Sequence, residues 1–93
     1  GGGGETTDPI VALIEAVEAM QAEGALSAGR ANALLVSLEH ALARRDGGRE
    51  DKALLQLKAF SLKLQAMVLG GDISEADAST LFGFYVSAVS SLG

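Results

Sequence analysis

The stretch from Ala53 to Leu69, ALLQLKAFSLKLQAMVL, decides the fold class: it is the longest helical pattern in the chain and the only one apolar on two faces. Wound at about 100° per residue, it puts Ala53, Leu54, Leu57, Phe60, Leu64, Met67 and Val68 on one broad stripe, the width of a helix packed on a core. The opposite side carries Leu55, Ala59, Leu62, Ala66 and Leu69 at spacings of four, three, four and three. Lys52, Gln56, Lys58, Lys63 and Gln65 fill the two borders. A surface helix does not need the second stripe. Either it is covered within the fold by neighbouring side chains or the N-terminal segment, or it is a docking or self-association seam, since large exposed apolar patches mark interfaces.

On either side of this helix the chain reads as three more. Upstream, Asp46-Gly47-Gly48 is turn chemistry, and Glu50 and Asp51 put negative charge at the N-terminus of the central helix. Before the turn, Ala31, Leu34, Leu35, Leu38, Ala41 and Leu42 repeat at helical spacing, with Ser27 as cap, Leu26 as staple and Arg44-Arg45 in the last turn. Earlier still, Asp8-Pro9 starts a helix of Ile10, Leu13, Ile14, Val17 and Met20, which Gly24 closes. Downstream, Gly70-Gly71 stop the central helix, Ile73 and Ser74 staple and cap the next, and Ala78, Leu81, Phe82, Tyr85, Val89 and Leu92 form its stripe. Three short connections favour antiparallel neighbours, so the expectation is an all-α, up-down-up-down four-helix bundle. Ala19-Met20, Gly24, Leu26, Ser27, Ala31 and Leu34 recur as Ala66-Met67, Gly71, Ile73, Ser74, Ala78 and Leu81, which fits two helical hairpins about a pseudo-twofold axis. Two convergent corners would give the same pattern.

Composition limits the function classes. The 93 residues suit one domain at 8–93, with Gly1 to Gly4 and Glu5-Thr6-Thr7 (residues 1–7) read as a flexible linker or expression remnant. Twelve acidic and seven basic residues give a net charge of −5, the wrong sign for a general nucleic-acid or anionic-membrane binder. No window approaches the ~18 consecutive apolar residues of a membrane span, so no membrane insertion is expected. Cysteine is absent and histidine occurs once, which leaves neither a disulfide framework nor a self-sufficient zinc site.

Gly24-Ala25-Leu26-Ser27, Ala31-Asn32-Ala33-Leu34-Leu35, Leu38-Glu39-His40-Ala41, Ala53 through Leu57, Ala59-Phe60, and Gly71-Asp72-Ile73-Ser74 with Ala78 and Leu81 together resemble the FIMAH domain family. The resemblance covers Ile10 to Leu92 and its motifs are structural. It implies a small helical accessory module at or near the C-terminus of a bacterial secreted or surface multidomain protein, hence an extracellular or cell-surface location, and it brings no catalytic residues. The chain departs from the family pattern at Leu55 and Leu62, where the outer side of the third helix tends to be polar. It departs again at Ser61, where a large aliphatic residue tends to follow the phenylalanine.

Candidate chemistry is sparse. His40 lies far from its helix's apolar stripe, with Ser37, Ala43, Val36 and Arg44 as neighbours, and reads as a solvated side chain. Asp72, Ser74, Glu75 and Asp77 have the oxygens of a calcium loop but lack its twelve-residue pattern, and helix capping accounts for them. No nucleophile elbow, paired His/Asp, phosphate loop or carboxylate pair with an apolar surround is present, so neither a catalytic residue nor a cofactor nor a metal is expected. The interaction candidates are Leu55, Leu62 and Leu69 first. Gly83 and Phe84 come second, beside a small uncharged face of Ser79, Thr80, Ser87, Ser90 and Ser91 that is otherwise an ordinary solvated surface. The leading expectation is therefore a non-catalytic interaction or assembly module that binds protein, either a neighbouring domain or a second copy in a homodimer. The alternative is a carbohydrate-binding appendage of an extracellular hydrolase, which the absence of Trp and the presence of one Tyr and three Phe disfavour.

Overall fold

The side chain of Asp8 begins the first helix, accepting hydrogen bonds from the backbone N–H groups of Ile10 (2.9 Å) and Val11 (3.4 Å) while Pro9 takes the first helical position. In this computed structural model, which describes residues 8–92, four helices follow: α1 (Pro9–Ala22), α2 (Ala28–Asp46), α3 (Glu50–Leu69) and α4 (Glu75–Leu92). There is no strand among the described residues. The linker read over residues 1–7 lies outside them.

All three corners use one device. Gly24, Gly48 and Gly71 sit at φ values of 84°, 80° and 75°, a left-handed conformation that costs glycine nothing. Around each, two backbone hydrogen bonds close the preceding helix: Ala25 N–H to Met20 C=O and Gly24 N–H to Gln21 C=O at the first corner, Arg49 to Arg44 and Gly48 to Arg45 at the second, Asp72 to Met67 and Gly71 to Val68 at the third. The first and third corners are then stapled by Leu26 and Ile73, both buried, and capped by Ser27 and Ser74, whose hydroxyls accept from Arg30 N–H (3.3 Å) and Asp77 N–H (3.1 Å). The sequence repeat thus has a structural counterpart in these two corners. The second corner shares the hydrogen bonds but lacks the staple and the cap: Arg49, which precedes α3, makes no side-chain cap bond.

Helix directions follow from two ion pairs. Arg45, in the last turn of α2, pairs with Asp8 at the start of α1, and Arg30, in the first turn of α2, pairs with Asp72 just past the end of α3 (2.9 Å). With the short connections at the other ends, these contacts make α1, α2 and α3 run up, down and up. α4 closes the ring: it packs on α1 and α3, α2 packs on α1 and α3, and the backbones of the diagonal pairs do not approach. The arrangement is a four-helix bundle.

The core is one cluster. Ile10, Leu13 and Val17 of α1, Leu34 and Leu38 of α2, Leu57, Phe60 and Leu64 of α3 and Leu81 of α4 are completely buried. The rings of Phe60 and Tyr85 lie 6.3 Å apart at 32°, joining α3 to α4. Leu35, Leu42, Leu54, Val68, Phe82, Tyr85 and Val89, expected on the core stripes, are only half-buried and form the cluster's edge. Conversely, Ser37, Ser61 and Ala88 are buried although the stripes did not include them.

Candidate interaction surface

The two sides of α3 are alike in composition and opposite in environment. Leu57, Phe60 and Leu64 are 0% exposed, whereas Leu55, Leu62 and Leu69 are exposed by 60%, 55% and 89%. The three exposed leucines are seven residues apart, so they drift by only about 20° per step and stand nearly in line along the helix. Ala66, between Leu62 and Leu69, is exposed as well, and Ala59 is half-buried. The second stripe therefore faces outward in the folded chain.

Its exposure has a geometric cause. The α3 backbone comes close only to those of α2 and α4, which cover its flanks and leave the outer line free. On the α2 flank, the Lys63 ammonium donates to the Ala33 carbonyl (3.0 Å) and the Ser37 hydroxyl (2.8 Å), laying its aliphatic stem along the helix junction. Ser37 is buried and polar, and this bond satisfies it. On the α4 flank, the buried Ser61 donates its hydroxyl proton to the Lys58 carbonyl of its own helix (2.9 Å). A serine here, bonded to its own helix, adds no bulk between α3 and α4.

Further along the same flank, Gln65, Val68 and Leu69 of α3 and Phe82 of α4 line an open groove of about 240 Å³. The pattern of the sequence assigned Val68 and Phe82 to the core, and their half-buried position on the rim was not legible from spacing alone. Val86, one turn beyond Phe82 on α4, is 60% exposed and was likewise not singled out. The only sequence signal for it was its place outside the α4 stripe.

The second candidate pair lies elsewhere. Phe84 is 38% exposed, and Gly83 has open space where a side chain would begin. Two residues along a helix correspond to about 200° of rotation, so Phe84 and the groove residue Phe82 point to opposite flanks of α4. Leu55, Leu62 and Leu69 thus share one surface, and Gly83 with Phe84 do not extend it.

The polar candidates have structural partners. Asp72 is paired with Arg30, and Ser74 caps α4. His40 is exposed. Among the described residues no three His, Cys, Asp or Glu side chains gather in a way that could hold a metal ion, and no helix is long and apolar enough to cross a membrane. At the start of α1 the hydrogen bond to Arg45, helped by the N–H groups of Ile10 and Val11, holds the Asp8 carboxyl below its ordinary 3.8 against the opposing effect of burial.

What the surface offers is thus a line of aliphatic side chains on a rigid helix, without a reactive group. No curated protein and no solved structure matches the chain. The sequence model of the FIMAH domain matches residues 10–83, from the first core residue of α1 to the middle of α4, stopping short of the resemblance read through Leu92. With most of the bundle inside that match, the chain belongs to the FIMAH domain family.

Proposed function

We propose that this domain is a non-catalytic interaction or assembly module of a bacterial secreted or surface multidomain protein, and that it acts by packing the outer face of α3 against another protein surface. The exposure of Leu55, Leu62 and Leu69 in one line carries this reading. Three large aliphatic side chains in water on one helix face are an expense in solubility that a partner would remove, and burying each contributes roughly 1.5–3 kcal/mol when complete. Membership of the family supports the accessory role. The secreted or surface setting rests on what that membership implies.

Leu55→Lys combined with Leu62→Lys tests the face. Both positions are exposed, so the variant keeps its helical circular dichroism and its thermal transition while association, measured by sedimentation equilibrium, is lost. An unfolded variant would show the stripe to be core, and undiminished association would move the interface to another surface, with Gly83 and Phe84 next.

Carbohydrate binding has less support. Phe60 is buried, Phe82 and Tyr85 are half-buried, and Phe84 alone of the four rings is exposed, so no pair of rings forms a sugar platform. Titration with polysaccharides separates the two readings, since an aliphatic seam predicts no response.

A further inference from the structure

Resting on the reading of α3 as an association face, we infer that its occupant is a second copy of this chain, with the two α3 helices antiparallel and each leucine of the stripe set against an alanine of the other. The stripe Leu55, Ala59, Leu62, Ala66 has spacings of four, three and four, which read the same in both directions, while its residues alternate large and small. A twofold axis between positions 60 and 61 therefore places Leu55 against the partner's Ala66 and Ala59 against the partner's Leu62, and the same two layers recur with the roles exchanged. Such self-complementarity is what an isologous interface requires. Large against small in the four central layers lets the helices approach there to the short end of the usual ~8–10 Å range without leaving voids.

Charge selects the direction. Lys58 and Lys63 flank the stripe on opposite sides, the Lys63 ammonium anchored on Ala33 and Ser37 of α2, with Gln65 and Gln56 as the other flanking residues in the same turns. In a parallel pair Lys58 would face the partner's Lys63 on both sides of the seam, and its layers would be leucine on leucine and alanine on alanine. In the antiparallel pair Lys58 faces the partner's Gln65 and Lys63 faces the partner's Gln56, so no like charges meet in the four central layers. At each end Lys52 lies opposite the partner's Leu69, where its stem covers the leucine that is 89% exposed in one copy. An interface one helix wide falls below about 1,200 Å², so the dimer is a weak one, populated according to concentration.

The chain has no cysteine, which allows a direct test of register. Leu55→Cys and Ala66→Cys chains, both altered at exposed positions, are oxidised separately and as a mixture, alongside sedimentation equilibrium of the unaltered chain over a roughly hundredfold concentration range. The inference expects a mass that rises above 9.4 kDa with concentration. It also expects a disulfide between the two variants in the mixture, roughly tenfold more abundant than either variant linked to itself. Like positions in the antiparallel pair are about 16 Å apart along the axis, beyond the ~7 Å reach of a disulfide.

Self-linked Leu55→Cys and self-linked Ala66→Cys, without the mixed product, would overturn the antiparallel register and leave the association face standing. Association that persists in the Leu55→Lys, Leu62→Lys variant would overturn both. A mass of 9.4 kDa throughout would overturn the second copy as occupant and leave the face for a different protein. Lys58→Glu gives an independent arm: it changes an antiparallel dimer by less than roughly twofold, whereas a parallel one would gain paired charges and tighten by more than that.

Discussion

Leu62 and Leu64 are two residues apart on α3, chemically identical, and 55% and 0% exposed. Replacing each by alanine therefore isolates what the bundle does to a leucine. Leu64→Ala deletes three carbons from the core, removing their transfer energy and leaving a cavity between packed helices, a combined cost of about 2–5 kcal/mol. A 93-residue domain at about 0.05–0.15 kcal/mol per residue has only about 5–14 kcal/mol in all, so this is a large fraction of its stability. With a urea slope of about 1–2 kcal/mol per molar for a chain this small, the midpoint falls by about 2 M.

Leu62→Ala removes a side chain that already has more than half of its surface in water, and alanine is the best helix former, so the change stays within about 1 kcal/mol and the midpoint within about 1 M. Urea titration followed by circular dichroism, at a concentration low enough for association not to contribute, measures both. If Leu62→Ala lowers the midpoint as far as Leu64→Ala with the slope unchanged, the outer stripe is covered within the fold and is not an association face.

Asp8→Ala removes both the cap of α1 and the partner of Arg45, and is expected to cost about 1–2 kcal/mol at neutral pH. Because the folded carboxyl is held below its ordinary 3.8, its contribution is complete above that value and disappears as the pH falls through the lower folded value. Thermal melts at neutral pH and in strong acid should accordingly show the gap between wild type and variant closing in acid; a gap of constant size would refute the assignment. Gly24→Ala, at φ 84°, should destabilise by about 1 kcal/mol, whereas Gly83→Ala, mid-helix with open space around it, should stabilise by a similar amount in the same denaturant assay. Phe84→Lys, on the opposite flank of α4 from the groove, should leave the self-association of the chain unchanged by sedimentation, and a monomeric variant would make the Gly83 and Phe84 surface the interface instead.

Local chemistry determined much of this protein before any tertiary contact is considered. Asp8, Ser27 and Ser74 satisfy N–H groups a few residues ahead, and Gly24, Gly48 and Gly71 accept a backbone conformation closed to most residues, so the ends of the helices follow from nearest neighbours. The period of the apolar residues then gave four helices, the core side of each, and the presence of a second stripe on α3. The second stripe itself was legible, but its environment was not: periodicity says which residues share a face, and only the packing says whether a face meets another helix or water. With α3 flanked by α2 and α4 and its core side turned toward the bundle centre, Leu55, Leu62 and Leu69 came out exposed, while Ser37 and Ser61, polar in the sequence, were buried with Lys63 and a backbone carbonyl as partners. The groove beside Phe82 and the ion pairs of Asp8 with Arg45 and Asp72 with Arg30 join residues far apart in the chain. Their existence depends on the lateral placement of whole helices, which the sum of many core contacts decides and which no short stretch of sequence contains.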